Sequence, residues 1–189
     1  MRVLVGCERW GAVRDAFKAR GHDACSCDVE RSPDSDTHLC ADVRLHLHGA
    51  WDLLIAHPPC TFLAVSGARW FKDRQPQQAE ALEFVRTLMD APIRRIAIEN
   101  PVSVISSRIR KPDQTIQPWQ FWDGEPGMGE VKRTCLWLKN LPKLVPTTPN
   151  ETGRIARVWR MGPSPTRSAD RARTYPGIAR AMAEQWGNL

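Results

Sequence analysis

Trp51-Asp52-Leu53-Leu54-Ile55-Ala56-His57-Pro58-Pro59-Cys60-Thr61-Phe62-Leu63-Ala64-Val65-Ser66-Gly67 runs an apolar stretch into two consecutive prolines and a thiol. The continuous apolar run from Leu53 to Ala56 predicts a strand covered on both faces, and Pro58-Pro59 cannot extend its ladder, so the strand stops there. Ligands bind at the carboxyl ends of strands in a parallel sheet, which delivers Cys60 to the rim where chemistry takes place. The prolines fix two φ angles and hold the thiol at a set height with little further loss of entropy. The competing reading of Cys60 is a small buried hydrophobe.

Working outward, the same alternation recurs. Arg2 to Gly6 predicts a first strand, followed by a glycine-containing loop, Cys7-Glu8-Arg9-Trp10-Gly11, and a helix over 12–20 that Gly21 stops. Ala24 to Cys27 predicts a second strand ending at Asp28. Ala79, Leu82, Val85, Leu88 and Met89 keep a helical period, so 76–89 is a crossover helix leading to the strand Ile96-Ala97-Ile98. That strand ends in Glu99-Asn100-Pro101, and a carboxylate at a strand terminus suggests a site residue more than a core one. The expectation is an α/β, doubly wound, mostly parallel sheet.

Pro58-Pro59-Cys60 followed by Ser66-Gly67, with Glu99-Asn100 downstream, resembles the catalytic motifs of the 5-methylcytosine DNA methyltransferases, which use S-adenosylmethionine (SAM). The resemblance implies a Rossmann-like methyltransferase fold, SAM as cofactor and DNA as partner. It also implies a catalytic set of Cys60 as nucleophile, Glu99 as the acid acting on N3 of cytosine, Asn100 as its orienter and Arg133 as the motif arginine, with Lys132 second. For cofactor contacts it implies Gly6, Glu8 and Gly11 near the methionine end, Asp28 at the ribose, Asp42 near the adenine, and Pro58. Loop or cap roles compete for Asp28 and Asp42. Ser66, Arg69, Trp70 and Lys132 are the expected substrate contacts, with Arg69-Trp70 stacking on a base or packing onto the body. Two departures stand out. Arg9-Trp10-Gly11-Ala12 fills the place of a tighter glycine cluster, and only about forty residues separate Leu138 from Ile178, too few for an ordinary recognition domain. They leave open C5 modification of a free pyrimidine nucleotide, or a catalytically inert nucleic-acid-binding relative.

The formal net charge of +6 is uneven: from Lys132 onward eleven Lys or Arg face three acids, leaving the first 131 residues at −2. A basic C-terminal third suggests a surface facing phosphates, or else a solvated arginine-rich face. The six cysteines, at 7, 25, 27, 40, 60 and 135, lack the dense spacing of a disulfide framework; Cys25, Cys27, His38 and Cys40 do not follow a common zinc pattern, and no metal is expected. No apolar run is long enough to span a bilayer, and the N-terminus reads as a strand, so a soluble, cytoplasmic protein is expected, and the resemblance implies a prokaryotic or phage-infected cell. The chain is expected to form one domain over 1–189, with an irregular substrate-facing loop at 103–130 and a basic segment at 139–175. A strand is expected over 132–138, irregular chain over 141–167, and a last helix from Ile178. Trp119, Phe121 and Trp122 either line the substrate mouth or collapse onto the core. A homo-oligomer or a separate specificity partner would supply what the short recognition segment lacks.

Overall fold

The computed structural model describes residues 1–33, 36–122, 129–148, 154–165 and 167–189. Its centre is the strand pair β1 (Arg2–Gly6) and β4 (Leu53–Ala56), parallel and in register from Val3↔Leu53 to Gly6↔Ala56. To one side lie β2 (Asp23–Asp28) and β3 (His38–Cys40), to the other β5 (Arg95–Pro101), all parallel. The antiparallel strands β6 (Gln114–Ile116) and β8 (Thr134–Lys139) complete a seven-stranded sheet in the order β3-β2-β1-β4-β5-β8-β6. This is a doubly wound, mostly parallel, Rossmann-like sheet. A two-residue pair, β7 (Gly129–Glu130) with β9 (Arg154–Ile155), stands apart from it.

Both faces of the sheet are covered, which is why its central strands are apolar without alternation. Val3, Val5, Leu53 and Ile55 pack on one face with Val13 and Phe17 of α1 (Ala12–Lys18) and Ile178, Met182 and Trp186 of α6 (Pro176–Trp186). Leu4, Leu54, Ile96 and Ile98 pack on the other with Leu82, Val85 and Leu88 of α2 (Gln75–Met89). The last helix therefore packs beside the first, on the same face of the sheet. None of the helices among the described residues is long and apolar enough to cross a membrane.

Two expectations need correction, the irregular stretches 103–130 and 141–167. The end of β5 is as expected: the strand runs through Glu99 and Asn100 to Pro101, where β8 supplies an antiparallel partner for each of them. Pro101 is tolerated as the terminal residue, where a missing donor does least harm. The 103–130 stretch is not irregular throughout, since α3 (Ile105–Arg108), β6 and a 3-10 turn over Pro118–Phe121 lie in it; residues 123–128 fall outside the described residues. Phe121 is core rather than mouth, at 2% exposure. The 141–167 stretch holds β9 and the short helix α4 (Arg157–Arg160), followed by α5 (Arg167–Ala172); residues 149–153 and 166 are not described. Short elements with little apolar periodicity leave no sequence signal of the kind that reveals a long amphipathic helix.

Candidate functional site

The ladder between β4 and β1 runs one residue past the strand, with the His57 amide donating to the Gly6 carbonyl at 3.0 Å. Pro58 and Pro59 then have no amide to offer, and the chain leaves the sheet. It is caught again at once. The Cys60 carbonyl accepts from the amides of Leu63 and Ala64, at 3.0 and 2.9 Å. The amides of Val65 and Val104 donate to the carbonyls of Val102 and Leu63, each at 3.0 Å. The buried Asn100 side chain donates Nδ2 to the Pro58 carbonyl at 2.8 Å. Cys60 thus sits exposed on a loop tied by side chain and backbone to the end of β5.

The charge of Glu99 reaches the thiol; the Glu99 side chain is 17% exposed, with Oε2 3.0 Å from Nδ1 of His57, whose side chain is 8% exposed. Burial alone would lift the Glu99 pKa. The hydrogen bond and field of His57, the Lys132 ammonium and the Thr134 hydroxyl outweigh it and hold the carboxyl below its ordinary value. Burial alone would lower that of His57, but the bond to Glu99 and the fields of Glu99 and Glu8 hold it above. Although Cys60 as a residue is exposed, the protein around its sulfur partly desolvates it, and this together with the Glu99 charge pushes the thiol pKa up, against the pull of Lys132 and Arg171. The resting site is therefore a thiol beside an ionised carboxylate. A raised Glu99 pKa, the condition for it to act as an acid on its own, is not met, because the imidazole stabilises its charge.

Lys132 is fixed by donating Nζ to the Arg171 carbonyl at 2.8 Å, and its backbone amide donates to Gln117 Oε1 at 2.9 Å. It is the cation whose field reaches Cys60, Glu99 and His57. Arg133, the better match to the motif arginine, is exposed and is not among the groups acting on those three.

On the other side of His57 opens a cleft of about 990 Å³, walled by Glu8, Trp10, Asp28, Pro59, Arg171 and Tyr175. It lies where the chain, having wound from β1 out to β3, returns to β4, the switch point at which α/β folds bind ligands. Glu8 is buried and accepts from the amides of Val13 and Arg14, at 2.7 and 3.1 Å, so it caps α1 from the cleft wall. Gly11, at φ +73°, makes the turn into α1, and Gly6 closes against Val43, where a Cβ would come within 2.8 Å of Cγ2. Asp28, at the end of β2, lines the cleft. Asp42 does not: it caps the 3-10 turn Val43–His46 and pairs with Arg44. Ser66, Arg69 and Trp70 lie on an exposed 3-10 segment, Val65–Arg74, just after the Cys60 loop, where the Arg69 guanidinium stacks 5.0 Å from the Trp70 ring.

Cys60, Glu99, Asn100, Pro58 and Lys132 are thus brought together, and Glu8 and Asp28 line the cleft, while Gly6 and Gly11 shape the backbone on either side of the loop that carries Glu8 and do not line it. Sequence reasoning missed His57, Thr134 and the C-terminal arm carrying Arg171 and Tyr175. A histidine directly before Pro-Pro at a strand end was the available signal for the first. The arm gave none beyond its charge.

No protein-family model matches the chain, and no curated protein matches it. Among solved structures it is similar to a protein described as a DNA modification methyltransferase encoded within an E. coli prophage, at 17% identity and TM-score 0.50, over 78% of this chain and 53% of that one. It is also similar to a mutant of Spodoptera frugiperda DNMT2, at 15% identity and TM-score 0.46, over 82% of this chain and 55% of that one. The chain spans about half the length of either structure, and the first of them shares its fold, a doubly wound, mostly parallel Rossmann-like sheet.

Proposed function

We propose that the protein transfers a methyl group from SAM to C5 of cytosine in DNA through a covalent Cys60 adduct. The observation that carries this is a cysteine on an exposed, pinned strand-end loop whose thiol feels the charge of a carboxylate from the neighbouring strand. The cleft fits a nucleoside cofactor: it is large enough, Asp28 stands at the end of β2 on its wall, and the buried Nε2 of His57 is without a hydrogen-bond partner among the described residues. Glu8, Asp28 and His57 would hold the cofactor, which when bound supplies an electrophilic methyl group.

The chain's own residues do the rest. C5 of cytosine is a poor nucleophile until a thiolate adds to C6, which makes the ring an enamine. Cys60 must lose its proton to add, and Lys132 and Arg171 favour the thiolate that Glu99 and burial disfavour. As the Sγ–C6 bond forms, negative charge develops toward N3, where a proton donor lowers the barrier. The His57–Glu99 pair holds that proton, and Asn100 keeps the loop and the carboxylate in one frame. After methyl transfer, removal of the C5 proton returns its electron pair to the ring and expels Cys60. In duplex DNA the cytosine must leave the stack to reach the thiol.

The test is incubation with methyl-labelled SAM and duplex DNA, single-stranded DNA or free cytidine nucleotides, with Cys60→Ala as control. Label at cytosine C5 in DNA, lost in the variant, is expected. Label confined to nucleotide would replace DNA with a free pyrimidine as substrate, and no label in any arm would favour an inert nucleic-acid-binding relative. Trapping of 5-fluorocytosine DNA on the wild type locates the covalent step.

A further inference from the structure

His57 has two ring nitrogens in two different places. Nδ1 is bonded to Glu99 at 3.0 Å, while Nε2, on a residue that lines the cleft, is buried and has no hydrogen-bond partner among the described residues. A buried polar nitrogen left unpaired is costly, and native proteins retain such groups where a ligand or water completes them. The ring can donate at both nitrogens only when protonated. Three charged groups face it: Glu99 from β5, Glu8 from the loop after β1, and Lys132 from the segment before β8, two acids against one cation.

We infer that His57 couples the cleft to the reacting base: its Nε2 donates to an oxygen of the nucleoside ligand, and through Nδ1 the same ring fixes the charge on Glu99. The class of group recognised is an oxygen acceptor, a carboxylate or a hydroxyl. An acceptor at Nε2 favours the imidazolium, so ligand binding draws a proton onto His57 and strengthens the bond that keeps Glu99 ionised. The cofactor would thereby load the proton later presented to the base, and bind more weakly as the ring loses it. The inference rests on the proposed function for the identity of the ligand but not on methyl transfer.

The experiment uses S-adenosylhomocysteine as probe and reads binding rather than activity. Calorimetry in buffers of different ionisation heat, at about pH 8, above the ordinary imidazole range, measures protons taken up on binding. Wild type is expected to take up a fraction of a proton. His57→Asn, which retains a polar group near Nδ1 but removes Nε2, is expected to bind about tenfold more weakly, the size of one hydrogen bond to a charged group, with no uptake. Because that variant could fold poorly, the ring is also followed by nitrogen NMR in the wild type, where the titration midpoint of His57 should rise on ligand addition. Binding without proton uptake and without a shift of the His57 signal overturns the inference, and so does absence of binding. A protein that binds with uptake yet never labels DNA would sink the proposed function and leave the coupling standing.

Discussion

The Asn100 amide and the Pro58 carbonyl meet at 2.8 Å, so the end of β5 and the loop holding Cys60 are one mechanical piece. Removing the amide leaves a buried carbonyl unpaired, which costs about 1–3 kcal/mol. Asn100→Ala is therefore expected to lower the denaturation midpoint with an unchanged slope. Its effect on methylation by the folded variant is expected to reach about a hundredfold, because a misplacement near 1 Å suffices for that. A loss of stability with an unchanged rate per folded molecule would mean that the contact is structural only.

Burial and Glu99 hold the Cys60 thiol up, while Lys132 and Arg171 pull it down. Alkylation of Cys60 followed against pH should show a midpoint above that of an ordinary cysteine. Glu99→Gln should move the midpoint down and Lys132→Met should move it further up. Arg133→Met should leave it in place. If the Arg133 variant shifts it as much as the Lys132 variant, the assignment of the site cation to Lys132 is wrong.

The strands that build the rim were legible because burial on both faces writes itself as an unbroken apolar run, as in Leu53 to Ala56 and Ile96 to Ile98. The α1 and α2 helices were legible by their period. Glu99 and Asn100 could be placed at a strand end, but not in their chemical state. What ionises Glu99 is an imidazole 42 positions away in sequence, and no local pattern records that pairing. The choice between Lys132 and Arg133 was equally invisible, since adjacent residues on extended chain point opposite ways and only the tertiary partner of each decides which faces the site. The C-terminal arm was legible as charge alone: its short elements bury few apolar side chains, and its ties to the site run through carbonyls and single side chains.

The His57–Glu99 pair carries a signed pH dependence. The folded His57 pKa lies above its unfolded value, so its contribution is full below the ordinary imidazole pKa and is lost as pH rises through the folded one. The folded Glu99 pKa lies below its unfolded value, so its contribution is present above the ordinary carboxylate pKa and is lost as pH falls through the folded one. The pair is most stabilising between those two limits, in mildly acidic solution. Unfolding free energy of wild type minus that of Glu99→Gln, measured across this range, should peak there. A difference that stays flat with pH would show that the two side chains do not share charge.

Gly11 and Gly21 offer a paired test of the turn that shapes the cleft. Both have positive φ, +73° and +80°, so alanine at either incurs the left-handed penalty of about 1–2 kcal/mol. At Gly21 a Cβ meets nothing within 4 Å, whereas at Gly11 it would lie 2.1 Å from Nη2 of Arg14. That guanidinium cannot withdraw freely, because it is buried and held by Asp15 at 2.8 Å and by Ser26 Oγ at 2.8 Å. Displacing it unpairs a buried charge, a loss of about 3–5 kcal/mol when complete. Gly11→Ala should therefore destabilise well beyond Gly21→Ala in matched denaturant titrations. It should also weaken S-adenosylhomocysteine binding, since the start of α1, where Glu8 caps the Val13 and Arg14 amides beside the cleft, has to shift to make room. Gly21→Ala, on the far end of the same helix, should leave binding unchanged. Equal destabilisation by the two variants would mean that Arg14 yields without cost, and the rigid link from Gly11 through α1 to the cleft wall would be lost with it.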